Sequence, residues 1–209
     1  MRTFLLVVLL IGLGVLGVEV YRARAPGDGG DPTAAVTPKR VICQTLFCAE
    51  VAAVIAPAQG EPVIAWPEVA REPRYSLIAE PAKGYVVTPS HAEALAALRP
   101  DLVVVADYTR PDTLAQLRAL GLNLLTEPDP RGLEDVRQGI RRLGKAFGRE
   151  RDSDALLAWF DGRLTATKQA LAGRTPVRAA AWFDGSVAGG RTTLGEAMTA
   201  AGLVNVAAD

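Results

Sequence analysis

Histidine is almost absent from this chain, since His91 is the only one among 209 residues. A site for bare zinc or manganese needs several His, Asp or Glu ligands that converge, so we do not expect direct binding of a metal ion. A Ser-His-Asp or Cys-His arrangement would have to use the same histidine, and neither a Gly-x-Ser-x-Gly elbow nor a Cys-Gly-Ser-Cys context accompanies it. We therefore expect no enzymatic activity and no cofactor; an exported hydrolase would need a nucleophile and a base that the sequence does not offer.

An excess of charge of either sign is also missing, because Lys plus Arg and Asp plus Glu number 23 each. A near-neutral chain has no electrostatic footprint for nucleic acid, so nucleic acid is not an expected partner. Aromatic residues make up only 6% of the sequence. The position of each aromatic residue in the pattern is therefore informative.

The first residues have the pattern of an export signal rather than of a folded element. A positive start, Met1-Arg2-Thr3, precedes an apolar run over residues 4–18, and Ala23-Arg24-Ala25 supplies the small-x-small pattern of signal peptidase sites. We expect a signal peptide over residues 1–25. The alternative is an uncleaved membrane anchor, although the run is short for a bilayer span. Residues 26–38, rich in Pro, Gly and Asp, are expected to form a flexible linker.

Only two cysteines occur, Cys43 and Cys48. They lie at the end of a predicted strand and the start of a predicted helix, and in an exported protein a disulfide can persist. The spacing permits a bridge between them. The alternative is a pair of small, buried apolar side chains.

Short apolar runs alternate with helical patterns from Lys39 onward, which is the signature of an α/β domain with a mostly parallel sheet. The predicted strands cover residues 40–43, 62–66, 102–106 and 123–125, and the predicted helices cover residues 49–56, 111–120 and 133–147. We assign residues 39–150 to a Rossmann-like N-terminal lobe, 151–173 to a long connecting helix, and 174–209 to the start of a second, incomplete α/β lobe. The apolar run 177–183 predicts a strand in that last part, with no second-lobe strand to pair with.

Two helix starts carry the capping-box pattern, in which Ser or Thr is followed three residues later by Glu. The pairs are Ser90 with Glu93 and Thr193 with Glu196. We expect each pair to satisfy the backbone of its own helix start.

The candidate binding residues follow the predicted strands, because ligands of open α/β sheets bind beyond the carboxyl ends of the strands. These positions hold Gln44, Thr45 and Leu46, then Trp66, then Asp107, Tyr108, Thr109 and Arg110, and lastly Trp182, Phe183 and Asp184. Four of the few aromatic residues lie there, which suits a flat apolar ligand with a polar edge. The alternative for Trp66 and Trp182 is that they cap the core.

A glycine-rich turn over residues 185–193 follows the last predicted strand. It lacks the Lys of a phosphate-binding loop and the Gly-x-Gly-x-x-Gly spacing. Its backbone amides, together with Arg191, could instead face an anionic or bulky ligand at the start of a helix.

These features together resemble the periplasmic solute-binding proteins of ABC importers for cobalamin, ferric siderophores or haem, which have two α/β lobes joined by one long helix. The resemblance runs from Arg40 onward. Its motifs are Arg40-Val41-Ile42 with Glu50, the block Glu93-Ala94-Leu95-Ala96-Ala97-Leu98-Arg99-Pro100-Asp101-Leu102-Val103-Val104, Tyr108-Thr109-Arg110-Pro111 with Leu117-Arg118-Ala119-Leu120-Gly121, and Ala201-Gly202-Leu203-Val204-Asn205-Val206. The block at 93–104 is the most specific of these.

The resemblance implies a periplasmic protein that captures a metal chelate between its lobes and delivers it to a membrane permease. Glu93 corresponds to the glutamate with which the first lobe of such proteins docks on the permease; the alternative is a purely structural role at its helix start. Most of the second lobe, with its own docking carboxylate, is expected to be absent from these 209 residues. The alternative functions are a membrane-anchored binding or sensory module without transport, and a truncated, non-functional relative.

Overall fold

The computed structural model describes residues 37–57, 62–183 and 185–208. The predicted signal peptide and nearly all of the predicted linker lie outside the described residues. Within the described ranges, no helix is both long enough and apolar enough to span a membrane.

A five-stranded, wholly parallel sheet forms the centre of the fold and confirms the predicted α/β class. Its strands are β1 (Val41–Cys43), β2 (Val63–Trp66), β3 (Val86–Val87), β4 (Leu102–Ala106) and β5 (Leu124–Glu127). They are arranged in the order β3-β2-β1-β4-β5, and each neighbouring pair is parallel. We call this the main sheet.

Helices cover both faces of the main sheet, as a parallel sheet requires. The helices are α1 (Leu46–Ile55), α2 (Ala79–Ala82), α3 (Ala92–Ala97), α4 (Pro111–Ala119), α5 (Leu133–Phe147) and α6 (Glu150–Ala170), with a 3-10 turn at Glu68–Arg71. α1, α5 and α6 contribute to the apolar cluster on one face, and α3 and α4 contribute to the cluster on the other.

The strand sequences explain why both faces are covered. In β4 all five residues, Leu-Val-Val-Val-Ala, are buried, and successive side chains point to opposite faces. Val104 therefore packs towards α5 and Phe147, whereas Val103 and Val105 pack towards Leu117 of α4. A strand that is apolar on both sides can be stable only between two layers of helices.

The turn between α5 and α6 uses a glycine in the left-handed conformation. Gly148 has φ 63° and ends α5, and its N–H donates to the carbonyl of Lys145. Such a backbone conformation is costly for other residues. α6 then runs for 21 residues, close to the predicted connecting helix.

We call residues 177–208 the C-terminal segment; its described part contains four short strands and one helix. They are β6 (Val177–Ala179), β7 (Trp182–Phe183), β8 (Ser186–Val187), α7 (Thr193–Ala200) and β9 (Leu203–Asn205). The prediction of one unpaired strand over 177–183 is wrong. β6 pairs in parallel with β9. β7 forms an antiparallel hairpin with β8, because the turn around Gly185 reverses the chain.

Both predicted capping boxes are also wrong. α3 begins after His91 and has no side-chain hydrogen bond at its cap, so Ser90 and Glu93 do not form the box. α7 is capped by Thr192, one residue before the predicted position.

Candidate functional site

The carboxyl ends of β1 and β4 form the topological switch point of the main sheet. β1 lies between β2 and β4, so the chain leaves β1 towards one side of the sheet and leaves β4 towards the other. Ligands of open α/β sheets bind in the crevice at such a point. The candidate site is therefore built around the loops that follow these two strands.

The loop after β1 carries Gln44 and Thr45 and is held from several directions. The N–H of Gln44 donates to the carbonyl of Val104 over 2.9 Å, and Thr45 caps α1 by accepting from the N–H of Cys48 over 3.1 Å. The Cys43–Cys48 disulfide forms, with a Cα–Cα distance of 5.6 Å. Of the two interpretations of these cysteines, the structure supports the bridge, and both predicted binding residues lie on a tethered, half-buried loop.

The loop after β4 places Tyr108 in the open. Its side chain is 71% exposed, and partial burial, followed by the charges of Asp129 and Asp107, raises the pKa of its hydroxyl. The phenol therefore stays protonated and can donate a hydrogen bond at neutral pH. Arg110 is exposed and pairs with Asp112 over 2.6 Å, which raises the pKa of its guanidinium.

Trp66 does not line the site, and its prediction as a binding residue is corrected. The residue is only 2% exposed, and its ring stacks on Tyr85 with centroids 3.7 Å apart and planes 9° apart. Its indole N–H has no hydrogen-bond partner among the described residues. The alternative given by the sequence, an aromatic cap on the core, describes its position.

A segment that sequence reasoning missed lies beside α1, over residues 72–78. Tyr75 and Leu77 are exposed there, Leu77 at 73%. Glu50 of α1 accepts hydrogen bonds from the backbone of Leu77 and the side chain of Ser76, and burial raises the pKa of its carboxyl. The segment therefore presents Tyr75 and Leu77 to solvent beside the middle of α1. It has no helical or strand periodicity, so no pattern could have revealed it.

The C-terminal segment supplies a second set of candidate residues. Trp182 is 73% exposed on β7, and Arg191 is exposed just before α7. Phe183 ends β7, and its side chain lies outside the description.

A cavity of about 540 Å³ lies where the C-terminal segment meets the loop after β5. Its lining residues are Arg131, Gly132, Glu134, Asp135, Arg191 and Glu196. Each carboxylate has a partner: Glu134 pairs with Arg137, Asp135 accepts from the N–H of Arg131, and Glu196 accepts from the N–H of Leu133.

The two guanidinium groups of the cavity, those of Arg131 and Arg191, have no hydrogen bond or ion pair among the described residues. One comes from the loop after β5 and the other from the glycine-rich turn. They are therefore available to an anionic group in the cavity. Arg131 was not predicted, because it lies six residues beyond the end of the predicted strand 123–125, farther than any candidate read at a strand end.

Glu93 follows β3, the strand at the edge of the main sheet. It is the second residue of α3, exposed, and has no hydrogen bond or ion pair with any described residue. No group of three or more His, Cys, Asp or Glu that could hold a metal ion is found in the ranges that the structure describes.

The sequence pattern of the periplasmic binding protein family matches residues 51–209. The chain belongs to this family. Among curated relatives, it is 28% identical over 123 residues to a cobalamin-binding protein of Halobacterium salinarum, which is 57% of this chain and 33% of that protein. The match thus spans about a third of the relative's length.

Solved structures of the same fold include two haem-binding proteins. The periplasmic heme-binding protein BhuT, solved with two hemes, is 27% identical with a TM-score of 0.65, over 80% of this chain and 66% of that one. The periplasmic heme-binding protein RhuT from Roseiflexus sp. RS-1 in its apo form is 26% identical with a TM-score of 0.66, over 82% and 66%. The relatives named here are binding proteins, and the fold of this chain is theirs over most of its length.

Proposed function

We propose that this chain is the extracytoplasmic solute-binding component of an ABC importer, which captures a metal chelate and delivers it to a permease. Membership of the periplasmic binding protein family supports solute binding, and the relatives described above are named as cobalamin-binding or haem-binding proteins. The observation that carries the proposal is the open carboxyl edge of the main sheet, where a tethered loop and an exposed tyrosine face solvent. The cavity beside it is lined by two arginines and three carboxylates. The proposed role involves no covalent chemistry.

The division of the chain follows from the same proposal. Residues 39–150 form the first lobe, α6 connects, and the C-terminal segment belongs to a second lobe whose glycine-rich turn faces the first. The solute would lie between Tyr108 on one side and Trp182 and Arg191 on the other. Gln44 and Thr45 form the floor between them, and export of the chain to the periplasm gives access to the solute.

A visible-absorption titration of the purified protein with haemin and with cyanocobalamin tests the proposal, because both chelates are coloured. We expect saturable binding of at least one. Tyr108→Ala and Trp182→Ala should each weaken it about twofold to tenfold, the range of one aromatic contact. Leu120→Ala is the control, since Leu120 is an exposed apolar residue at the far end of α4.

Equal affinity in all four proteins would remove the two aromatic residues from the site. Absence of saturable binding to either chelate, and to ferric siderophores in the same assay, would remove the chelate class altogether.

A further inference from the structure

Two side chains of α7 reach across to the loop that follows β5. Oε2 of Glu196 accepts from the backbone N–H of Leu133 over 2.6 Å, and Oγ1 of Thr193 donates to the carbonyl of Pro130 over 2.7 Å. Both contacts join residues that are 63 positions apart in the sequence. They connect the C-terminal segment to the first turn of α5.

α7 itself does not need either side chain. Thr192 caps this helix by accepting from the N–H of Gly195 over 2.9 Å, and its hydroxyl donates to the carbonyl of Gly189 over 2.8 Å. Thr192 therefore makes the side-chain hydrogen bond expected of an N-cap residue. Thr193 and Glu196, which the sequence pattern assigns to this same helix start, are free to bond elsewhere.

α5, in contrast, has no cap of its own. Its N-cap residue is Gly132, which has no side chain to accept from the first N–H groups. A Cβ at position 132 would come within 2.5 Å of the Glu196 carboxylate. The backbone of Gly132 is extended, with φ −166°, so a side chain there would not strain the backbone but would displace the Glu196 carboxylate from its present position. The carboxylate also lies at the positive end of the α5 dipole.

The glycine-rich turn is hydrogen-bonded both to the start of α7 and to the residues that follow this helix. Besides the contact from Thr192 to Gly189, Nδ2 of Asn205 donates to the carbonyl of Ala188 over 2.8 Å, and the N–H of Gly190 donates to the carbonyl of Ala208 over 3.2 Å. Whatever fixes α7 therefore also fixes the backbone that leads to Arg191.

We propose that Glu196 and Thr193 are positioning residues that fix the glycine-rich turn and Arg191 against the loop after β5, and so set the geometry of the binding cleft. We call the pair the α7 clamp. The expected effect of the clamp on chelate binding rests on the proposed function. Its effect on the position of the glycine-rich turn rests only on the hydrogen bonds described above. Neither residue needs to touch the solute to act in this way.

Amide hydrogen exchange of the full-length protein tests the clamp without any solute. Glu196→Ala should speed exchange at Leu133 roughly fivefold to tenfold, the effect of losing a cap. Exchange should also rise at residues 188–191, because the turn loses its anchor. Glu196→Gln keeps a neutral acceptor and should show a smaller effect, and Thr193→Val should loosen the same turn. Asp154→Asn removes an exposed carboxylate from α6 and is the control.

Haemin and cyanocobalamin titrations of the same variants then separate the two proposals. If the wild-type protein binds, Glu196→Ala and Thr193→Val should weaken binding several-fold while Asp154→Asn should not. Faster exchange at Leu133 alone, with residues 188–191 and affinity unchanged, would make Glu196 a helix cap only and overturn the clamp. If the wild type binds no chelate, the proposed function fails, and exchange at residues 188–191 still decides whether the clamp exists.

Discussion

The ion pair between Glu127 and Arg142, at the carboxyl end of β5, allows the loss of unfolding free energy in a variant to be predicted. The Glu127 side chain is 1% exposed, and its two carboxylate oxygens accept from Arg142 of α5 at 2.6 and 3.2 Å. Arg142→Met keeps much of the apolar stem in place and leaves a buried carboxylate without its cation. Removing one partner of a fully buried pair costs about 3–5 kcal/mol. Because Arg142 is 37% exposed, we expect a loss of roughly 3 kcal/mol or slightly less.

For a chain of this length that loss corresponds to a fall in Tm of about 6–12 °C. Thermal unfolding followed by circular dichroism measures it. Arg141→Met, at the neighbouring exposed position, is the matched control and should shift Tm by no more than 1–2 °C, roughly the effect of a surface substitution. Glu127→Gln keeps an acceptor for Arg142 and should cost less than Arg142→Met. Equal melting of the two Met variants would show that Glu127 is satisfied without Arg142 and would refute the reasoning.

Three further predictions concern the candidate site. Replacing Arg131 and Arg191 together by Gln should lower the affinity for haemin, which carries carboxylates, about tenfold or more, and the loss should be larger at low salt. An equal loss of affinity for a neutral chelate would show that the arginines act through packing rather than charge. Glu93→Gln should leave chelate affinity and Tm unchanged but lower uptake of the chelate by cells, because the Glu93 carboxylate, unpaired among the described residues, is available to bind a permease arginine. Unchanged uptake would show that Glu93 has no role in docking. Cys43→Ala with Cys48→Ala, which places no hydroxyl at these two buried positions, should lower stability by about 2 kcal/mol, as expected for a short closed loop. Urea unfolding measures the loss, and a denaturation midpoint equal to that of the oxidised wild type would contradict a stabilising bridge.

Most of the main sheet could be predicted, because β4 and the helices around the sheet are regularly patterned. The strand at 102–106 and the helix at 133–147 have the predicted bounds, since an apolar run and a 3.6-residue period are visible over these lengths. β3 and β9 have only two and three residues, and no sequence pattern marked them as strands. Their existence depends on pairing with β2 and β6, which is a tertiary effect.

The site could be predicted only to the level of strand ends. Gln44, Thr45 and Tyr108 follow β1 and β4 as expected, because the order of elements fixes which loops reach that edge. Whether an aromatic residue at such an end points into the core or into solvent depends on its neighbours. Trp66 is buried, and Tyr85 from an irregular connection stacks on it. Trp182 is 73% exposed, and no ring stacks on it among the described side chains.

The C-terminal segment shows why the α7 clamp should matter more here than a single cap usually does. Its two-stranded β6–β9 sheet leaves Val177 and Val204 exposed, and an isolated pair of strands is marginal in water. Apart from Met198, which is buried, the segment offers few apolar contacts to hold it against α5 and α6. Directional hydrogen bonds therefore set its orientation where packing is weak, and the capping-box pattern at 193–196 misleads because its two side chains serve this contact instead of their own helix.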